Sequence, residues 1–424
     1  MTHRRNFLKS LSSTALVSPL LSRAGLAQTP ANTRPLAGAE DPAYWEKVRD
    51  QFLLPRDKVF FNNGTIGAMP KVVLERTVEH LRKMATDLAD WDYRGEEWIS
   101  GYSDMAGIRA KAARLLNADV KEVALTENVT AAMSYVASGL DLEAGSEILI
   151  GNQEHVGGQS PWFNAAKRHQ ASVKTVVLPR PIHSRDEVLD IVTKAMTPAT
   201  RVIAISHVIT GSGAILPARE ICAEARRRGI FTVLDGAQSL GHIGVDVHDL
   251  GCDAYVGCFH KWLLAPAGNG FLYIRKDRGK DVWSSVASGQ WDNHNDDGYR
   301  FTQRGTGSMS MMMGLDAALD FHFEIGPERI QKRVKYLGDH LRAGLRGIPK
   351  VKIFSPDDEA MCAGITVYGV EGITGQRLQD EMWTRGRLRP RSSGSTGVRH
   401  CTHIFNSPAE IDRALAIVRT LAEG

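Results

Sequence analysis

The chain has 424 residues, 43% hydrophobic and 24% charged, which excludes a disordered polypeptide and leaves room for one large core and a smaller one. Its formal charge of +4 comes from Arg4, Arg5, Lys9 and Arg23, because the first 27 residues hold no Asp or Glu and the rest balances at 48 basic against 48 acidic side chains. Nothing in that balance suggests a nucleic acid or an anionic membrane as partner.

The chain starts Thr2-His3-Arg4-Arg5-Asn6-Phe7-Leu8-Lys9, continues with an apolar, serine-containing stretch over 11–21, and reaches Gly25-Leu26-Ala27. A charged start, a short apolar region and small residues before a cut predict an export signal over 1–27, with an anchoring helix or an organelle transit peptide as alternatives. Arg4-Arg5-Asn6-Phe7-Leu8-Lys9 resembles the twin-arginine type, which implies the twin-arginine export machinery as a partner and a periplasmic or otherwise exported location. No other segment reaches the roughly 18 apolar residues of a membrane helix, so no span is expected in the mature chain. Five cysteines (Cys222, Cys252, Cys258, Cys362, Cys401) contain no Cys-x-x-Cys pair and predict no disulfide framework.

Residues 28–59 read as a linker and N-terminal arm. From Phe60 onward, apolar β-branched runs at 147–150, 172–178, 201–208, 231–234, 255–258 and 270–274 alternate with helical patterns at 106–116, 131–139, 186–195 and 218–228. That alternation predicts an α/β fold whose mostly parallel sheet is covered by helices, a large domain over 60–305. Past Thr306 the texture changes to a Met-rich run, a long charged helix over 327–346, short strands near 351–354 and 364–368, and a closing helix over 408–421. This predicts a smaller α+β domain over 306–424, packed with the N-terminal arm.

Ligands of open α/β sheets collect at the carboxyl ends of strands, where this sequence puts Thr210, then Asp235 and Gln238, then His260 and Lys261. An acid ending one strand and a His-Lys pair ending the next suit pyridoxal 5'-phosphate (PLP). A lysine can form a Schiff base with its aldehyde, and a carboxylate can keep its pyridine nitrogen protonated. Zinc fits worse: Cys252 and Cys258 would stand about 20 Å apart on an extended strand, beyond one ion's reach, and no metal is expected. Gly211-Ser212-Gly213 lacks the third glycine of a dinucleotide fingerprint.

Ser206-His207-Val208, Leu216-Pro217, Asp235-Gly236-Ala237-Gln238, Gly241, Asp253, His260-Lys261-Trp262 and Gly268-x-Gly270 together resemble the class V aminotransferases of PLP fold type I, especially their isopenicillin N epimerase-like and cysteine desulfurase-like branches. The resemblance, over about 62–411, implies a seven-stranded sheet and roles for named residues. Lys261 would bind the cofactor covalently, Asp235 would pair with the ring nitrogen, Gln238 would donate to the ring hydroxyl, and His260 would hold the phosphate. His155, in Glu154-His155-Val156-x-x-x-Ser160-Pro161-Trp162, matches the histidine that stacks on the ring and joins Lys261 and Asp235 as a catalytic residue.

A phosphate is well held at a helix N-terminus, and Asn128-Val129-Thr130 also resembles the family's phosphate loop; Thr130 offers a hydroxyl, or simply an N-cap, and Val129 only its backbone. Arg304-Gly305-Thr306 is similar to the segment that reaches the neighbouring subunit's phosphate, which implies a homodimer with shared sites. Gly397-Val398-Arg399-His400 with Phe405-Asn406-Ser407-Pro408 is similar to the carboxylate-binding arginine and its sequel. Arg399 is the first candidate for the substrate carboxylate and Arg391 the second, with a surface ion pair as the alternative for either.

The expected activity is PLP chemistry at the α-carbon of an amino acid or peptide amine, epimerase-like or aminotransferase-like. Alternatives are a C–S or other β-lyase and a non-catalytic binding protein that kept the fold. Cysteine desulfurase is disfavoured because residues 388–396, ahead of Arg399, contain no cysteine.

Overall fold

The computed structural model describes residues 38–90 and 105–424; the expected signal over 1–27 lies outside them. After a two-residue strand β1 (Val59–Phe60), the chain builds a seven-stranded sheet. Its strands are β2 (Val123–Thr126), β3 (Glu147–Gly151), β4 (Ser172–Val176), β5 (Thr200–Ser206), β6 (Phe231–Asp235), β7 (Ala254–Cys258) and β8 (Gly270–Ile274). They lie in the order β2-β8-β7-β6-β5-β3-β4. Only β8 runs against its neighbours β2 and β7; the other pairs are parallel.

Both faces of this sheet are covered, which is why its central strands read as unbroken apolar runs. Ile203, Ile205 and Leu234 face one core, shared with the helices Ala106–Leu116, Ala218–Arg227 and Met309–Ile325. Val202, Ala204 and Val233 face the other, shared with the helices Val129–Gly139 and Val156–His169. Strand 201–208 is shorter than the sequence suggested: β5 ends at Ser206, and Val208 instead bridges Ile215 in the loop that carries Thr210.

The second sheet contains β9 (Val351–Ile353), β10 (Ile365–Val370), β12 (Arg391–Ser393) and β13 (Gly397–Cys401), in the antiparallel order β12-β13-β10-β9. Strand β11 (Leu388–Arg389) pairs instead with β1, in parallel. The helices Pro327–Arg346, Gly375–Gly386 and Pro408–Glu423 close a separate core over this sheet, to which Val59 and Phe61 also contribute. Phe61 accepts the backbone N–H of Cys401 through its carbonyl at 2.8 Å, so the segment that follows β1 runs beside β13. That pairing brings residues 62–65 to the carboxyl edge of the large sheet.

Candidate active site

From β3, next to one edge of the large sheet, the chain extends in both directions, to β4 on one side and through β5, β6 and β7 on the other. The carboxyl ends beside this switch point form the expected crevice. A cavity of about 430 Å³ opens there, lined by Asp235, Ala237 and Gln238 after β6, Cys258, His260 and Lys261 after β7, and Thr210 after β5. His155, Val129 and Thr130 come in from two helix N-termini, and Arg391 and Arg399 from the second sheet. Ten of the eleven residues singled out in the sequence therefore line one cavity; Thr306 is exposed and outside it.

Asp235 is buried, and its Oδ1 accepts the Ala237 N–H at 2.8 Å. Burial pushes its carboxyl above the usual range, while the Ala237 N–H, the Lys261 ammonium and His155 pull it back. Lys261 is half-buried at the cavity wall, and its backbone carbonyl is gripped by the Asn63 amide at 3.2 Å. His155 caps the helix Val156–His169, its Nδ1 accepting the Gly157 N–H at 3.1 Å. Partial desolvation and the neighbouring Lys261 lower its pKa, and because Nδ1 accepts the Gly157 N–H, the neutral ring carries its hydrogen on Nε2.

The Gln238 amide is fully engaged: its Oε1 accepts from Trp262 Nε1 at 2.8 Å, and its two N–H groups donate to the Gly64 carbonyl at 2.9 Å and to Thr210 Oγ1 at 3.2 Å. The Thr210 hydroxyl also accepts from Arg399 Nη1 at 2.5 Å. Filled as an acceptor, it keeps its own hydrogen for a ligand. Arg399 Nη2 donates to Asn62 at 3.1 Å and to Thr65 at 2.8 Å. Asn62, Gly64 and Thr65 escaped the sequence reading, because only the run of the segment after β1 beside β13 brings them here.

Glu154 also escaped it. This half-buried residue's carboxyl accepts the Ser206 N–H at 3.1 Å and the Ser206 hydroxyl at 2.5 Å, beside Asp235 on the adjacent strand. Burial pushes its pKa up to about 7, and the nearby Asp235 charge adds to the rise. A carboxyl raised in the folded state stabilises fully below the unfolded pKa and loses that stability as pH climbs through the folded one. At about 1.4 kcal/mol per pKa unit the loss approaches about 3 kcal/mol. Glu154→Gln is therefore expected to raise the melting temperature at pH 8 relative to pH 4.5, measured by calorimetry at both; an equal shift at the two would refute the buried charge.

The donor set suits a phosphorylated, cationic-ring coenzyme. The N-terminus of the helix Val129–Gly139 opens on the cavity with Asn128 as its cap, His260 Nδ1 is buried without a partner, and Asp235 is the sole lining acid among the described residues. A mostly parallel sheet, a switch-point crevice, and Asp235 and Lys261 lining one cavity define a PLP enzyme of fold type I.

Comparison with known proteins narrows this. Residues 59–414 match the aminotransferase class-V family, and the chain belongs to it. It is 32% identical to the isopenicillin N epimerase of Streptomyces clavuligerus over 88% of this chain and 96% of that one. It is 29% identical to a probable cysteine desulfurase of Xylella fastidiosa, over 85% and 87%. Among solved structures it resembles a C-DES variant with glycine covalently linked to the PLP cofactor, at 26% identity and a TM-score of 0.78, over 88% and 98%. Its cofactor is pyridoxal 5'-phosphate.

Proposed function

We propose that this enzyme moves the proton on the α-carbon of an amino acid or amine-bearing peptide, in an epimerase-like or aminotransferase-like reaction. Bound PLP supplies an aldehyde that takes the amine and a cationic ring that draws electrons from Cα. The Lys261 amine would hold the cofactor covalently and, when free, would serve as the base for the α-proton. Asp235 would balance the ring's positive charge, and His155, at the N-terminus of the helix Val156–His169, would pack against the cofactor. Thr210, His260, Thr130 and the Val129 backbone would hold the cofactor, Gln238 would act by positioning the Thr210 hydroxyl, and Arg399 would take the substrate carboxylate.

The observation that carries this reading is the combination of Lys261 beside Asp235 with no usable thiol. All five cysteines are free and buried, and Cys258, which lines the cavity, has its thiol pushed up to about 11 by burial. A desulfurase that carries the persulfide on its own cysteine needs a reactive thiolate. The test is to supply PLP-loaded protein in D2O with D- and L-amino acids and amine-bearing peptides. Deuterium at Cα with inverted configuration supports epimerisation, and keto acid supports transamination. Release of sulfide or of a β-substituent without α-exchange would select the lyase reading instead.

The proposal extends to quaternary structure and location. Exposed Thr306, outside its own cavity, supports a homodimer in which the segment 304–306 serves the partner's phosphate. The Arg4-Arg5 motif supports export to the periplasm by the twin-arginine machinery.

A further inference from the structure

Arg391 and Arg399 are cross-strand partners on β12 and β13. Arg399 Nη2 and Arg391 Nη1 both approach the Thr65 hydroxyl, at 2.8 Å and 3.5 Å. That hydroxyl donates its own hydrogen to Asn62 Oδ1 at 2.8 Å, so it accepts from two cations at once. Neither guanidinium forms an ion pair among the described residues. Arg399 is buried and its Nε has no partner, while Arg391 is exposed at the cavity mouth. Two like charges converging on one oxygen repel each other unless anions lie between or beside them.

Charge within the cavity points the same way. Among its described lining residues Lys261, Arg391 and Arg399 are cationic and Asp235 is the single acid. The cofactor phosphate would be held by other elements, the N-terminus of the helix Val129–Gly139 and His260. One α-carboxylate would satisfy Arg399 and leave Arg391 without an anion.

We propose that the substrate is an amine bearing two carboxylates, Arg399 holding the α-carboxylate and Arg391 the distal one. This rests on the reading of the cavity as an amine-substrate site. Because both guanidiniums approach one hydroxyl, the two carboxylates lie close together, as on a short amino diacid or a peptide end that places a side-chain acid next to its terminus.

The test uses the PLP-loaded enzyme, titrated with aspartate, glutamate and 2-aminoadipate against asparagine, glutamine and norleucine, followed by the visible spectrum and by calorimetry. A second carboxylate is expected to tighten binding about tenfold over the matching amide, and the preference to weaken as salt rises. Arg391→Gln should abolish the preference, Arg391→Lys should keep part of it, and Arg399→Gln should weaken every amino acid. If Arg391→Gln weakens diacids and amides equally, both arginines grip one carboxylate and the inference is overturned. It is overturned too if wild type shows no diacid preference while still binding amines. No response to any amine would overturn the amine-site reading itself and this inference with it.

Discussion

Replacing Lys261 by Ala is expected to leave a folded protein that has lost the visible absorption of covalently held cofactor and about 10⁴-fold or more of its turnover. The fold survives because the lysine ammonium is not among the groups that hold it. Asn63 donates to the Lys261 carbonyl and the Gly67 N–H to the His260 carbonyl at 2.7 Å, and Trp262 is pinned by Gln238 and sits buried between the sheets. All of these remain in the variant. The cofactor's other contacts, at Asp235, His260 and the helix Val129–Gly139, also remain, so added PLP should still bind reversibly and be removed by dialysis. The measurements are the absorption spectrum after dialysis, the melting temperature and kcat. A variant that keeps its visible band would show that a different amine carries the cofactor.

The site was legible in the sequence where a strand end fixes a side chain by itself. Asp235 and Lys261 follow apolar runs whose boundaries are sharp, and their chemistry is unusual enough to stand out. The helix Val156–His169 was not legible, because Gly157, Gly158 and Pro161 read as breakers. The structure gives the reason for the two glycines. A Cβ at 157 would lie 2.3 Å from Thr130 Oγ1, and one at 158 would lie 2.8 Å from Asp235 Oδ2. Helix propensity is given up there so that the helix can pass close over the cavity floor.

A different cause hid the helix Met309–Ile325. Its sequence Met309-Ser310-Met311-Met312-Met313 lacks the polar stripe of a surface helix, since its residues contact the large core on one side and the helix Lys71–Thr86 on the other. Gly314 makes that second contact possible: a Cβ there would fall 2.2 Å from Thr77 Oγ1. The large-sheet core thus continues past the change in texture at Thr306, and the separate second core draws on residues from Val59 as well as from 337 onward. Thr65, Asn62 and Glu154 escaped for a simpler reason. Each acquires its site role through a tertiary contact that no local pattern announces.

Asp235→Asn is expected to reduce turnover about 10²-fold or more while raising the stability of the cofactor-free protein at alkaline pH. Both effects follow from one buried charge. Asparagine keeps an oxygen to accept the Ala237 N–H but cannot carry the negative charge that keeps a ring nitrogen protonated, and charge stabilisation at a desolvated centre is worth a factor of about 10² to 10³. Without cofactor the same charge is a liability, since burial raises the carboxyl above its usual range and Lys261 and His155 only partly offset this. The sign is that of any acid raised by folding: its stability contribution is intact below the unfolded pKa and is lost as pH rises through the folded one. The gain from asparagine should therefore appear at pH 8 and vanish in acid. Melting curves of the cofactor-free proteins across that range, set beside kcat of the loaded ones, separate the two effects. A variant that lost activity and also lost stability at every pH would mean that Asp235 mainly holds the loop after β6. Gained stability with lost activity would mean that the fold tolerates an unfavourable charge because the cofactor needs it.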